Sequence, residues 1–204
     1  MQKRIFGGLF TAILLATGTT QAQTSADIKK IENYLNSVTS LEARFVQNSS
    51  NGGMAEGKIW IAKPNKIRME YAAPVNVLIV GNGKFIVYND LDLDQVSNID
   101  YDDIPASVIL GNDIKIDGKN MKITRFYKDA GTTIATIETK ESGVGPIELT
   151  FGNSPFELKQ WKIVDPQSVE VTVSLYGIQT DKKPDNELFR FKKSTNPLNL
   201  KKGR

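Results

Sequence analysis

The sequence predicts a mainly β protein: a single strongly curved antiparallel sheet of about ten or eleven strands, with helices covering its concave, hydrophobic face. Three observations support this fold class. Short segments rich in β-branched and aromatic residues recur along most of the chain, separated by Pro, Gly, Asn and Asp. One long helical pattern and one short one accompany them. An up-and-down sheet of this length must curl, because strands twist, and its hollow side is then the surface for the helices.

The chain begins with the pattern of a secretory signal peptide. Lys3 and Arg4 give a positive start, residues 5–16 are apolar, and Ala22 ends a small-x-small cleavage motif. We therefore expect residues 1–22 to be removed on export and residues 23–191 to form one domain. The chain contains no Cys, so we expect neither a lipid-anchored leader nor disulfide bonds.

Charge is divided unevenly along the chain. The whole chain carries 26 basic and 23 acidic side chains, a net charge of +3. Residues 192–204 form a basic tail without an acidic residue, and its cations are Lys192, Lys193, Lys201, Lys202 and Arg204. Such a tail is more often a solvated terminus than a contact to anionic headgroups or to an acidic partner. It lacks interleaved aromatic side chains, so it does not indicate nucleic-acid binding.

The composition restricts the chemistry that the chain can perform. It has no His and no Cys, which excludes Ser-His-Asp triads, thiol catalysis and the usual transition-metal sites. An enzyme of this composition would have to use other groups, and the candidate is an exported hydrolase that uses a carboxylate pair. Its candidate acids are Asp90, Asp92, Asp94, Asp100, Asp102 and Asp103.

The first three of these acids resemble the start of a calcium-binding EF-hand loop. Gln95 replaces the glycine that such a loop requires, and Tyr101 stands where the bidentate glutamate belongs. We therefore expect no metal ion. Residues 90–94 are interpreted as a hairpin corner.

One amphipathic helix is predicted at the start of the mature chain. Thr24 or Ser25 can cap it, and Asp27 lies in its first turn. Its apolar residues recur at intervals of three and four: Ile28, Ile31, Leu35 and Val38. Such a helix needs an apolar surface to lie on. We expect it to end near Thr39, with a strand over residues 41–47.

Four consecutive strands follow, with a turn residue at each corner. The predicted strands are residues 58–61, 67–71, 77–80 and 85–88, and the corners are Pro64, Pro74 and Gly81-Asn82-Gly83. In the second strand Ile67, Met69 and Tyr71 alternate with charged residues, which is the period of a half-buried strand. The plainest interpretation of this apolar face is the packed core of a β protein.

The remainder of the chain predicts a short helix and further strands. The helix is residues 104–110, and the strands are residues 95–98, 119–127, 132–139, 147–151, 158–164, 169–176 and a final short edge strand at 188–191. Two helices are a thin filling for so large a hollow. The hollow is therefore either packed solid, as in a structural β domain, or open as a cavity for an apolar ligand.

Several groups of residues match the pattern of a known family. They are Leu35-x-x-Val38-x-x-Leu41-x-x-x-Phe45-x-Gln47, Gly57-x-Ile59-Trp60-Ile61-x-Lys63-Pro64, Pro74, Gly83 and Tyr88-Asn89. This pattern resembles the LolA-type periplasmic carriers of outer-membrane lipoproteins. The resemblance implies an unclosed β-barrel covered by helices, without catalytic residues or a cofactor.

The resemblance also implies partners and a location. Such a carrier accepts acylated lipoproteins from an inner-membrane ABC transporter, crosses the periplasm and delivers them to an outer-membrane acceptor, either a receptor or the membrane itself. We expect a monomer. A carrier or sensor of another lipid on the same fold is the nearest alternative.

The resemblance further implies roles for individual residues. The lipid-contacting set would be Ile31, Leu35, Val38, Leu41, Phe45, Ile59, Ile61, Met69, Tyr71 and Ile109. Lys63 stands where the family commonly has an arginine that holds the helical cover closed; lysine keeps the charge but loses the planar fork. Arg44 and Arg68 are further candidates for this latch. Ile67, at a position near the rim that is usually aromatic, would contact partner proteins, and Met69 is a second candidate for this contact.

Overall fold

The computed structural model describes residues 24–105, 107–140, 145–165 and 167–192. In chain order the elements are α1 (Ser25–Ser37), β1 (Ser40–Ser49), β2 (Met54–Ala62), β3 (Lys66–Tyr71), β4 (Val77–Asn82), β5 (Phe85–Asp90), β6 (Gln95–Asp100), α2 (Ser107–Leu110), β7 (Met121–Lys128), β8 (Thr132–Thr139), β9 (Ile147–Asn153), β10 (Phe156–Val164) and β11 (Glu170–Thr180). Two 3₁₀ helices lie at Tyr101–Asp103 and Asn186–Phe189. The expected signal peptide lies outside the described residues, as does all of the basic tail after Lys192.

All eleven strands belong to one antiparallel sheet, in the order β6-β5-β4-β3-β2-β1-β11-β10-β9-β8-β7. The first and last strands pair in its middle, where Phe45 of β1 is opposite Leu175 of β11. Each half of the sheet is a meander that leads outward to an edge, β6 or β7. The edges do not pair with each other, so the curled sheet stays unclosed, and the predicted fold class is confirmed.

The alternation of side chains assigns one face of each strand to the interior. On β2, Ile59 and Ile61 are buried on the concave face and Trp60 lies half-buried on the convex face. Ile59 is opposite Ala43 on one side and Met69 on the other, so neighbouring strands contribute to the same apolar layer. The concave face is therefore continuous and apolar across the sheet.

The helix α1 begins and ends close to the predicted residues. Thr24 is the N-cap: its hydroxyl accepts a hydrogen bond from the Asp27 amide, and the Asp27 carboxylate accepts one from the Thr24 amide. This reciprocal capping box satisfies two otherwise unpaired donors. The helix buries Ile31 and Leu35 against the concave face.

The predicted helix over 104–110 is shorter in the structure. The 3₁₀ helix Tyr101–Asp103 precedes it, and α2 occupies only Ser107–Leu110. Ile104 separates the two in an extended conformation, φ −118° and ψ 132°. It precedes Pro105, and the residue before a proline is disfavoured in the α region.

The hollow contains more than two helices. Residues 111–117 follow α2 into it, and Ile114 and Ile116 are 3% and 5% exposed within the main hydrophobic cluster. No helix or strand was predicted for this segment. Together with α1 and α2 it covers the concave face, so the expectation of a thin filling was wrong.

The end of the described chain crosses the convex face. Residues 188–191 were predicted as an edge strand, which is wrong: Asn186–Phe189 is a 3₁₀ helix packed on β3 and β4. Arg68 Nη1 donates a hydrogen bond of 2.9 Å to the Leu188 carbonyl oxygen. Phe189 is buried there, as are Val80 and Val87, outside the main cluster.

Within the described ranges, no helix is long and apolar enough to cross a membrane.

Candidate functional site

The ten residues expected to contact an apolar ligand lie together in one cluster between the sheet and its cover, which consists of α1, α2 and residues 111–117. Eight of them are buried: Ile31, Leu35, Leu41, Phe45, Ile59, Ile61, Met69 and Ile109. Val38 and Tyr71 are partly buried and pack against the same cluster. The helices supply Ile31, Leu35 and Ile109, and the strands β1, β2 and β3 supply most of the rest. The cluster therefore joins the cover to the concave face.

Two aromatic rings pack together on the strand side of this cluster. The Phe45 and Tyr71 rings meet edge-to-face with centroids 5.0 Å apart, and Tyr71 donates a 2.7 Å hydrogen bond to the Gln47 side chain. Burial raises the pKa of the Tyr71 phenol, which therefore keeps its proton. Gly57 lies between these strands, where a Cβ would be 2.8 Å from Phe45 Cε1 and 2.0 Å from the Glu70 carbonyl oxygen. This explains the glycine at the start of the Gly57–Pro64 motif.

The cover is fastened to the sheet at the end of α1 by Lys63. This residue follows β2, and its Nζ donates a hydrogen bond to the Leu35 carbonyl oxygen. That carbonyl is in the last turn of the helix, where carbonyls lack intrahelical partners and carry the negative end of the helix dipole. The Lys63 amide also donates a 2.8 Å hydrogen bond to the Thr39 carbonyl oxygen.

Burial lowers the pKa of Lys63 from its usual 10.5 to about 8. Removing an ammonium group from water disfavours its charged form. The side chain is thus protonated at neutral pH but close to its titration range, which is unusual for lysine.

A second set of contacts fastens α2. The Asn65 amide donates a 2.9 Å hydrogen bond to the Leu110 carbonyl oxygen, and the buried Tyr101 hydroxyl donates to the Asn65 carbonyl oxygen. Burial raises the pKa of Tyr101 to about 12. The same loop that carries Lys63 therefore holds both helices.

The segment after α2 is tied to α1 by side chains of the helix. The Asn36 side chain donates to the Ile114 carbonyl oxygen at 2.9 Å and accepts from the Ile114 amide at 2.8 Å. Glu32 accepts a 2.7 Å hydrogen bond from the Ile116 amide. These bonds join α1 and residues 111–117 into one cover.

At its other end α1 is held by an ion pair. Lys128 Nζ on β7 lies 2.6 Å from Asp27 Oδ1. Its hydrogen bond to Asp27, with that of Thr24, holds the pKa of this carboxyl below its usual value. The cover is thus fastened by polar contacts at both ends, and its middle rests on apolar side chains.

The other latch candidates lie elsewhere. Arg68 is on the convex side of β3, where it pairs with Glu70 at 2.6 Å and bonds the Leu188 carbonyl. Arg44 is exposed on the same side of β1 and is opposite Lys58. Neither arginine is on the side of the sheet that α1 covers.

Ile67 does not present a contact surface in this conformation. Its side chain is 4% exposed and belongs to the main cluster, because β3 turns it toward the concave face. The neighbouring candidate Met69 is 6% exposed. A partner could reach either residue only after the cover moves.

A small crevice of about 20 Å³ remains beneath the last turn of α1. Six aliphatic side chains line it together with Tyr34 and Lys63: Leu35, Val38, Leu41, Ile61, Ile109 and Leu158. This volume admits about one water molecule and no acyl chain. Beneath the last turn of α1 the hollow is therefore closed, and the cover fills that part of it.

The acidic stretch after β5 forms a turn. Asp90 Oδ1 accepts hydrogen bonds of 3.0 Å from the amides of Asp92 and Leu93, and Asp92 accepts one of 2.8 Å from the Asn76 side chain. Across the described ranges, no group of three or more acidic side chains is arranged to hold a metal ion. These acids act as turn-forming residues.

Several residues of the site were not among those predicted from the sequence. Ile114 and Ile116 belong to the cover, and Trp161 belongs to the apolar cluster beneath it. Tyr34 lines the crevice under α1, and Lys128 pairs with Asp27. The alternation of Ile114 and Ile116 was a usable signal. The position of Lys128 gave no local signal, because its partner Asp27 is 101 residues away in the sequence.

The comparison with protein families decides the affiliation of the chain. The family model described as outer membrane lipoprotein carrier protein LolA matches residues 36–192, well over half of the chain. The chain belongs to the LolA family.

Relatives of this LolA-family chain match most of its length. An outer-membrane lipoprotein carrier protein of Azotobacter vinelandii is 26% identical over 196 residues, covering 90% of this chain and 92% of the relative. Another, of Chromohalobacter salexigens, is 28% identical over 182 residues and covers 85% of each chain. An uncharacterized protein, RP864 of Rickettsia prowazekii, is 26% identical over 171 residues, covering 84% of this chain and 79% of the relative.

Solved structures are similar at lower identity. The crystal structure of LolA superfamily protein NE2245 from Nitrosomonas europaea superposes with a TM-score of 0.47 at 8% identity. The match covers 83% of this chain and 99% of the other.

Proposed function

We propose that this LolA-family protein is a periplasmic carrier, not an enzyme. It binds the acyl chains of lipoproteins released from the inner membrane and delivers them to the outer membrane. The observation that carries the proposal is the construction of the cover over a continuous apolar face. Lys63 holds one end of α1, and Lys128 holds the other end through Asp27. Family membership supports the same function.

In this mechanism the cover and the cargo compete for one surface. Lipid chains gain about 0.8 kcal/mol for each methylene removed from water. Burying about ten methylenes would supply roughly 8 kcal/mol, which corresponds to micromolar affinity. Displacing Ile31 and Leu35 from the concave face offsets part of that gain. The offset keeps binding weak enough for release.

The latch sets the balance between loading and delivery. Lys63 holds the Leu35 carbonyl when the cover is closed, and this bond must break when acyl chains enter. A cover held more strongly would load poorly. A cover held more weakly would leave cargo bound and would not pass it on.

The partners follow from this cycle. We propose that an inner-membrane ABC transporter loads the carrier and that an outer-membrane receptor, or the membrane itself, unloads it. Ile67 would become available to these partners once the cover moves away from β3. Residues 1–22 would direct export, and residues 23–191 would form the carrier.

A release assay with spheroplasts of the host tests the proposal. The mature chain, residues 23–204, is added outside the cells, and the medium is probed for acylated lipoprotein in complex with it. We expect a soluble complex that does not form with an unrelated exported protein. If free lipid alone copurifies, the cargo is a different lipid; if nothing copurifies, the apolar face is a permanently packed core.

A further inference from the structure

The crevice beneath the last turn of α1 has two hydrogen-bond donors in an otherwise aliphatic wall. They are the Tyr34 phenol and the Lys63 ammonium. Lys63 has an acceptor in the Leu35 carbonyl oxygen. The Tyr34 hydroxyl oxygen is buried, and no acceptor in the described part of the chain receives its proton.

Tyr34 is held firmly in this position by its ring. The ring meets Phe151 edge-to-face with centroids 5.6 Å apart and Phe156 in the same way at 5.8 Å. Burial raises the pKa of the phenol, so the hydroxyl keeps its proton. A backbone hydrogen bond from Leu158 lowers that pKa in part, and the charge of Glu157 raises it. The Leu158 N–H group cannot accept the hydroxyl proton.

Packing of the closed protein does not account for this hydroxyl. A phenylalanine would make the same ring contacts without burying an unpaired donor, and a buried unpaired donor destabilises a fold. The hydroxyl can therefore donate to an acceptor that a ligand supplies. Because most of the wall is aliphatic, a ligand that supplies this acceptor would be largely apolar.

A carbonyl oxygen at the head of an acyl chain has the required properties. It is a strong, uncharged acceptor attached directly to a hydrocarbon chain. Tyr34 precedes Leu35 on α1 and moves with the cover, so its hydroxyl can meet a chain that lies between this helix and the sheet. A plain hydrocarbon or an ether-linked chain would leave the donor unpaired.

We propose that the Tyr34 hydroxyl donates a hydrogen bond to the carbonyl oxygen of an ester-linked acyl chain held beneath α1. The site then selects acyl esters over ether-linked chains of the same length. This inference rests on the proposed function, because it assumes that apolar chains enter beneath the cover.

Two soluble lipids that differ only in the linkage provide the test. Dihexanoylphosphatidylcholine carries ester carbonyls, and 1,2-di-O-hexylphosphatidylcholine lacks them. Each competes, below its micelle concentration, with an apolar fluorophore bound to the wild-type protein, to Tyr34→Phe or to Tyr127→Phe. Tyr127 is the matched control, since its phenol is half-exposed and bonds Asp129 at 3.2 Å.

We expect Tyr34→Phe to bind the ester lipid roughly two- to tenfold more weakly than the wild type, as for one lost hydrogen bond. Its affinity for the ether lipid and its resistance to urea should not fall, and Tyr127→Phe should match the wild type with both lipids. Equal losses for both lipids, or no loss for the ester, would overturn the inference. Wild-type protein that binds neither lipid would overturn the carrier function as well, which separates the two failures.

Discussion

Lys63, in the loop after β2, donates a hydrogen bond from its ammonium group to the backbone carbonyl oxygen of Leu35, in the last turn of α1. The Leu35 side chain, on the same residue, is 2% exposed in the apolar cluster below. One residue of the cover is thus held from two directions, by a charged donor and by the concave face. The closed conformation depends on both.

Removing the donor should loosen the end of α1. In Lys63→Met the Leu35 carbonyl loses a charged partner, a bond of about 1.5–3 kcal/mol. We expect backbone amides in the second half of α1 to exchange at least about tenfold faster, while those of β1 keep their rates. Lys58→Met removes an exposed lysine from β2 and should leave α1 unchanged. Unchanged exchange in Lys63→Met would show that apolar contacts alone hold the cover.

The pH dependence of stability should carry a signature of Lys63. Its pKa is about 8 in the folded protein and 10.5 when unperturbed, so between these values the unfolded chain binds more protons. Stability from this group therefore rises with pH in that window, and the cost of burying the charge is fully present below it. We expect the free energy of unfolding of the wild type, relative to Lys63→Met, to increase from about pH 8 to about pH 10.

Urea unfolding of both proteins across this range measures the effect. The comparison cancels the titration of tyrosines and other lysines, which both proteins share. A difference that decreases as the pH rises would mean that the charged hydrogen bond to Leu35 outweighs burial.

A methyl group at Gly81 should disturb the contacts that hold α2. Its Cβ would be 2.2 Å from the Tyr101 hydroxyl oxygen and 2.9 Å from Ile67 Cγ2. Tyr101 would have to leave Asn65, whose amide bonds the Leu110 carbonyl oxygen. We expect Gly81→Ala to lower the free energy of unfolding by about 1–3 kcal/mol, as for overpacking.

Gly111→Ala is the matched control for this substitution. Its Cβ would be 3.5 Å from its nearest neighbour, an ordinary contact. Thermal unfolding of both variants should therefore separate them. Equal melting temperatures would contradict the tight packing of Tyr101 over Gly81.

The ion pair between Asp27 and Lys128 should stabilise the start of α1. Asp27→Ala removes this pair together with half of the capping box, which should cost about 1–2 kcal/mol. A double-mutant cycle with Lys128→Met isolates the pair from the cap. Lys122→Met on the same strand removes an exposed pair with Glu138 and should change stability by less than about 1 kcal/mol. A coupling near zero would assign the effect of Asp27 to the cap alone.

Local patterns were sufficient to predict much of the fold. Ile31 and Leu35 lie one helical turn apart and are both buried, and Thr24 and Asp27 form the cap that their spacing allows. The strand alternation of Ile59 and Ile61 likewise predicts the face that they occupy. In each case the residues that determine the structure are within a few positions of one another.

Contacts between distant segments could not be predicted in this way. The apolar residues Leu188 and Phe189 suit an edge strand as well as a 3₁₀ helix, and the hydrogen bond from Arg68, 120 positions away, distinguishes them only in the folded chain. The position of Lys63 was inferred through resemblance, since a lysine before a proline has no local signal for a latch. Tyr34 looked like an ordinary helix residue, because an unpaired hydroxyl is defined by what surrounds it.

The central claim is that α1 leaves the concave face when acyl chains bind. Hydrogen exchange of the mature protein, with and without a synthetic diacylated lipopeptide, tests it most directly. We predict a one-to-one complex in which amides of α1 and of residues 107–117 lose protection while those of β1 and β11 keep it. A complex that leaves α1 fully protected, or the absence of any complex, would contradict the claim.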